Sequence, residues 1–79
     1  MPVHVLFFGA TADITGLRQI VVEVPQDSPA RAAFDQVLAE YPQLASHRLL
    51  FSLNQKYATG DEVVRDGDEL AIFTAVSGG

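Results

Sequence analysis

The sequence predicts an α+β fold, with one main helix across one face of a small mixed sheet. Three observations lead there. Short runs rich in Val, Ile, Leu and Phe stand near both ends and in the middle of the chain, bounded by Gly, Pro, Asn or Asp. Only the stretch from Ala33 to Tyr41 carries large apolar residues at helical spacing. The length, 79 residues, allows one domain, and an apolar content of 48% is ample for its core. A chain of this size buries roughly 60% of its unfolded surface, so its stability should be modest.

Val3 to Phe8 reads as the first strand. Val3, Val5 and Phe7 share one face; His4, Leu6 and Phe8 share the other. Both faces are largely apolar, which suits a strand covered on both sides or one exposing an interface. Gly9 to Gly16 reads as a loop bracketed by two glycines. Arg18 to Val24 is a second strand, rich in Ile and Val, with Glu23 toward solvent and Pro25 ending it. Asp27-Ser28-Pro29 is a helix start: Asp27 or Ser28 supplies a cap, and Pro29 suits the first helical position. Ala33, Phe34, Val37, Leu38 and Tyr41 form the helix's apolar stripe, and Pro42 stops it. Arg48 to Leu53 is a third strand, with Leu49, Phe51 and Leu53 alternating against Leu50 and Ser52. Asn54-Gln55-Lys56 is a turn, and Tyr57 begins a short edge strand. Thr59-Gly60-Asp61-Glu62 is another turn. Val63 and Val64 then lead to Asp66-Gly67-Asp68, a tight turn before the last strand, Leu70-Ala71-Ile72-Phe73. A β-grasp arrangement fits this order, with the first and last strands as parallel neighbours at the centre.

The chain ends on small residues. Residues 1–79 are expected to form a single domain with a flexible tail over 74–79 that closes on Gly78-Gly79. Extended fully, that tail reaches at most about 20 Å, enough to enter a partner's active site while the domain stays outside. Neither glycine carries a Cβ, so the terminal carbonyl is unhindered. A terminal diglycine is also what a fraying end looks like. The strand directly before it and the small size of the domain favour a terminus that presents itself.

Composition excludes several functions. There is no Cys, hence no disulfide, no thiolate metal site and no cysteine nucleophile. Any sulfur chemistry must therefore proceed without a side-chain thiol. Ten acids against five bases give a net charge of −5. Nucleic-acid binding, which needs clustered Lys and Arg, is not expected, and basic protein partners are favoured. No apolar run approaches the ~20 residues of a membrane span. Met1-Pro2-Val3-His4-Val5 lacks a signal peptide's basic region, so a cytoplasmic location is expected. His4 and His47 stand far apart with no Cys to join them, so no metal site is expected. Asp61-Glu62 and Asp66, Asp68 and Glu69 resemble paired carboxylates, but they sit in turns, where bonding to local backbone is the simpler account. No Ser–His–Asp order or phosphate-binding glycine loop is present. Lys56 reads as an exposed turn lysine, with an anion contact or modification as the alternative. Phe8, Tyr57 and Phe73 are either core residues or an exposed patch on the sheet face away from the helix.

The residues resemble one family from end to end. Val5-Leu6-Phe7-Phe8, Tyr41-Pro42 and Leu53-Asn54-Gln55 match. The fullest match is Asp66-Gly67-Asp68-Glu69-Leu70-Ala71 running to Val76-Ser77-Gly78-Gly79. On these motifs the chain resembles the small, sulfur-carrying subunits of molybdopterin synthase, which have the ubiquitin-like β-grasp fold. One departure is Thr74-Ala75, where the family usually has Pro-Pro.

The resemblance implies a cycle. A ubiquitin-activating-like adenylyltransferase uses ATP and magnesium to adenylate Gly79; the carrier itself binds no cofactor. Sulfur replaces one oxygen to leave a C-terminal thiocarboxylate. The large synthase subunit, which supplies the catalytic groups, takes up the tail, and sulfur passes to precursor Z in molybdenum cofactor biosynthesis. Gly79 is thus the implied sulfur-carrying terminus, with Gly78 beside it. Phe8, Tyr57, Phe73, Val76 and Ser77 are the implied partner contacts. A carrier for thiazole or cysteine synthesis and a ubiquitin-like protein modifier are the alternatives. Length and the Phe7-Phe8 start favour the first reading over the shorter thiazole carriers.

Overall fold

The fold is described from a computed structural model, which covers residues 1–74; Ala75 to Gly79 lie outside the described residues. The elements are β1 (Pro2–Phe7), α1 (Ala10–Thr15), β2 (Gln19–Glu23), α2 (Ala30–Glu40), a 3₁₀ helix (Pro42–Ser46), β3 (Leu49–Leu53), β4 (Lys56–Tyr57) and β5 (Glu69–Thr74). The strands form one five-stranded sheet in the order β2-β1-β5-β3-β4. β1 and β5 are parallel neighbours at its centre, as expected; β2, β3 and β4 add antiparallel. This is the expected β-grasp arrangement.

Alternation decides which side chains meet α2. Val3, Val5 and Phe7 of β1, Val22 of β2, and Leu70 and Ile72 of β5 are buried, and they form one cluster with Ala30, Ala33 and Val37 of α2. Phe34, Leu38 and Tyr41 pack on the same cluster, so the helical stripe read from the sequence is the stripe that is buried. Phe34 stacks on Phe51 with ring centroids 4.7 Å apart. Leu44, wholly buried in the 3₁₀ helix after Pro42, closes the cluster beyond the end of α2.

The start of α2 differs from expectation. Pro29 is extended (φ −73°, ψ 158°) and is the N-cap rather than the first helical residue, and no side chain caps the helix. Asp27 takes a positive φ of 64° in the preceding turn, and the Ser28 hydroxyl donates back to the Pro25 carbonyl at 2.6 Å. The first helical amides find backbone acceptors instead. Ala30 N–H donates to Glu62 O (2.7 Å) and Arg31 N–H to Gly60 O (3.0 Å). A loop supplies what a capping side chain would otherwise provide.

The stretch from Gly9 to Gly16 is not a loop. It holds the short helix α1, with Gly9 as N-cap and Gly16 as a left-handed C-cap (φ 74°) whose N–H returns to Ala12 O at 2.8 Å. Helix propensity hides it: Thr, Asp and Ile are weak helix formers, and its six residues are too few to show a period. Packing forms it, since Thr11 is wholly buried and Ala12 and Ile14 lie against the core. Strand boundaries also shift by a residue, β2 running Gln19–Glu23 and β3 Leu49–Leu53. Phe8 lies just past β1, Lys56 belongs to β4 rather than to the turn, and β5 runs through Thr74, expected to open the tail.

Candidate functional site

The face of the sheet opposite α2 carries no described element, and the strand registers lay out its residues in rows. His4 pairs with Val21 on one side and Glu69 on the other. The next row runs Gln19, Leu6, Ala71, Ser52, Tyr57. In the row after that Leu50 pairs with Phe73. Phe8 N–H donates to Ile72 O (3.1 Å), continuing the parallel ladder past β1 and placing Phe8 beside Phe73. The two open possibilities for this face of β1 therefore resolve: it is exposed.

Phe8 is 52% exposed and Tyr57 78% exposed, while Phe73 is half-buried. The Tyr57 and Phe73 rings meet edge to face, centroids 5.9 Å apart. They belong to β4 and β5, with β3 between, and meet where β3 offers the small Ser52 opposite Tyr57. Phe8, Phe73 and Tyr57 thus lie on one face rather than in the core. The sequence reading did not single out Leu50, which extends that surface and is 40% exposed. Its signal was present: Leu50 is the odd member of the Leu49, Phe51, Leu53 alternation, and so falls on the far side from α2. Val21, 56% exposed, is the outlying apolar residue of this face on β2. An open cleft of about 530 Å³ begins at Phe8 and runs between Ala12 of α1 and Arg18.

Both ends of β5 are pinned. At its start Gly67 takes a positive φ of 84°, and Asp68 closes the turn by accepting from Arg65 N–H at 2.8 Å. Asn54 sits between the two turns. Its side-chain amide donates to Asp68 Oδ1 (3.1 Å), its side-chain oxygen accepts from Glu69 N–H (3.0 Å), and its own N–H donates to Glu69 O (2.8 Å). Toward its other end, two residues before Thr74, the Thr11 hydroxyl lies 2.8 Å from Ile72 O and 2.7 Å from Phe8 O.

The carboxylates hold turns. Glu62 accepts from Thr59 N–H (2.8 Å) and Gly60 N–H (2.9 Å). The Thr59 N–H above all, then Glu62's own N–H and that of Gly60, holds its carboxyl below the ordinary value of 4.5. Asp61 pairs with Arg31 at 2.7 Å, and both are exposed. Among the described residues, no three His, Cys, Asp or Glu side chains gather into a metal-binding group. Lys56 is exposed, and Lys56, Tyr57 and Glu62 border a second cleft of about 320 Å³. Among the described residues no helix is long and apolar enough to cross a membrane. Val76, Ser77, Gly78 and Gly79 lie outside the described residues, so the geometry stops at Thr74, the last residue of β5.

Known proteins resemble this chain in sequence and in fold. The molybdopterin synthase sulfur carrier subunit of Homo sapiens is 37% identical over 82 residues, spanning 98% of this chain and 93% of the relative. The subunit of the same name from Mycobacterium tuberculosis is also 37% identical, over 98% and 96%. Among solved structures, SAMP1 from Haloferax volcanii superposes over the whole of both chains with a TM-score of 0.88 at 28% identity. The ThiS family model matches residues 5–79, from the middle of β1 through the diglycine, and with such relatives the chain belongs to the ThiS family.

Proposed function

We propose that this chain is the sulfur carrier subunit of a molybdopterin synthase, with Gly79 as the group that carries sulfur. The observation that carries the reading is the end-to-end likeness to relatives of that name. The geometry agrees with it, because β5, the last described element, borders an exposed apolar face. An adenylyltransferase, using magnesium, would join the Gly79 carboxylate to AMP at the expense of ATP, releasing pyrophosphate. Sulfur at the sulfide level then attacks the acyl carbon and expels AMP, leaving a thiocarboxylate. The absence of any thiol in the sequence fits a carrier atom at the backbone terminus. The large subunit would dock on the face bearing Phe8, Tyr57 and Phe73, with Val76 and Ser77 leading Gly78 and Gly79 into its active site. There the sulfur passes to precursor Z and the terminus returns to a carboxylate.

A second reading, a protein modifier joined through Gly79 to a lysine, is favoured by the likeness to SAMP1, a small archaeal modifier protein. Mass spectrometry separates the two. With the activating enzyme, ATP and a sulfur source, the protein should gain the mass of one oxygen exchanged for sulfur, placed on the last residue by fragmentation. Adding large subunit and precursor Z should reverse the change as dithiolene product appears. Reversal without that product would point to a carrier for another pathway, such as thiazole or cysteine synthesis. An isopeptide link in place of the mass exchange would establish the modifier.

A further inference from the structure

Thr11, in the short helix α1, is a polar residue that is wholly buried. Its hydroxyl stands between two carbonyls, 2.7 Å from Phe8 O and 2.8 Å from Ile72 O. Both carbonyls have further donors: Thr11 N–H reaches Phe8 O at 3.2 Å, and Phe8 N–H reaches Ile72 O at 3.1 Å. Four contacts among five groups, from α1, the residue after β1 and β5, thus close into one small network. Its place matters. Among the described residues the β1–β5 ladder ends at the Phe7–Ile72 pair, and this network extends the hold on β5 at that edge. Phe73, the next residue, lies on the open face, and Thr74 is the last described residue of β5. Gly9 makes the network possible. At φ 59° and ψ −129° the chain reverses directly after Phe8 and brings Thr11 back over it.

We infer that Thr11 is a positioning residue for sulfur delivery: its hydroxyl fixes the β1 edge of β5 at Ile72 and holds Phe73 beside Phe8. The inference rests on the sulfur-carrier reading. On its other edge β5 is paired with β3 through Leu50–Phe73 and Leu49–Thr74, so the Thr11 hydroxyl sets the β1 edge of the strand, the side on which Phe8 stands. Displacing reacting groups by an ångström lowers rates by up to about a hundredfold.

The test uses the full chain with Thr11→Val, which keeps the shape and removes the donor, and Thr11→Ser, which keeps the donor. Thr11→Val should still unfold in one cooperative step. Charged with sulfur and held at saturating large subunit, it should transfer sulfur to precursor Z about tenfold more slowly, with a smaller change in the Kd of the complex. Thr11→Ser should restore most of the rate. Transfer by Thr11→Val at the wild-type rate overturns the inference. So does a Thr11→Ser variant as slow as Thr11→Val, because the hydroxyl is then not the cause. Amide exchange of the free protein gives an arm independent of pathway. Loss of the hydroxyl should speed exchange of the Phe8 N–H by about tenfold, in line with one lost hydrogen bond. Unchanged Phe8 exchange removes the clamp whatever partner takes the tail. A wild-type protein that never acquires sulfur, together with accelerated Phe8 exchange in Thr11→Val, overturns the carrier reading and leaves the clamp standing.

Discussion

Tyr57→Ala separates docking from folding better than any other change on the open face. Tyr57 is 78% exposed, so removing its ring gives up little buried area. The main folded-state loss is the edge-to-face contact with Phe73 at 5.9 Å. Such pairs are worth about 0.5–1.5 kcal/mol, and the exposure of this one puts it at the low end. The unfolding free energy should therefore drop by less than about 1 kcal/mol. Binding should suffer more. An aromatic anchor buried at the centre of an interface commonly contributes about 2 kcal/mol or more, which is roughly 30-fold in Kd. The assay is calorimetric titration of the large subunit with wild-type and variant chains, beside urea denaturation of each. Val21→Ala is the control: it is 56% exposed on the same face but lies two strands from Phe73, across β1. It should leave Kd within about twofold, as rim residues do. A Tyr57→Ala chain that folds normally and binds with unaltered Kd refutes the docking face. Equal losses for Tyr57→Ala and Val21→Ala would place the centre of the interface elsewhere.

Other outcomes follow from single residues. One residue appended after Gly79 should leave the fold and its melting unchanged and abolish adenylation; equal adenylation at the new terminus would show that Gly79 is not the reacting group. Gly9→Ala should destabilise by about 1–3 kcal/mol in urea titration through backbone strain alone, since a Cβ there meets nothing within 4 Å. Ile72→Ala, at a wholly buried site, should cost about 2–5 kcal/mol, a large part of a small domain's stability. Glu62 has a folded pKa below its ordinary 4.5, so its contribution is present above that value and lost as the pH falls through it toward the folded pKa. Glu62→Gln should therefore lose less stability than wild type over that window; identical pH profiles would mean that the carboxylate does not hold the Thr59–Glu62 turn.

Much of this was legible because one signal, alternation, governs the sheet. Val3, Val5 and Phe7 against His4, Leu6 and Phe8 gave both faces of β1, and the helical stripe gave the face of α2. The turn at Asp66 to Asp68 was readable because Gly and Asp have specific backbone roles there. The misses share a cause. α1 is too short for a period and is made by burial, which propensity does not report. The cap of α2 is backbone from residues 60 and 62, distant in sequence, so Asp27 and Ser28 looked like caps and are not. Thr11 carried no signal at all, because its partners are the carbonyls of Phe8 and Ile72, and a carbonyl has no side-chain identity to read. Docking residues were legible only as alternatives, since apolar side chains on two faces do not say which face is covered.

The alternation that builds the core also builds the delivery surface, and this sets what β5 requires. Leu70 and Ile72 are wholly buried, while Ala71 and Phe73 fall on the open face. A slip of one residue would exchange the sets, exposing Ile72 and driving Phe73 toward α2. Burial alone resists the slip only in part, because Phe73 is itself apolar and could enter a core. The bonds at the two ends of β5 do not tolerate it. Asn54 makes three contacts to Asp68 and Glu69 that fit one register. Thr11 meets the Ile72 carbonyl at the other end, and after a one-residue slip it would face a peptide group turned the opposite way. Polar contacts at the ends therefore choose among registers that hydrophobic burial ranks closely. A chain with Asn54→Ala and Thr11→Val together should lose more uniformity than stability. Amide spectra of the double variant should show a second set of peaks for β5, while the urea midpoint shifts by no more than the sum of the two single changes. A single set of peaks would mean that packing against α2 alone fixes the register.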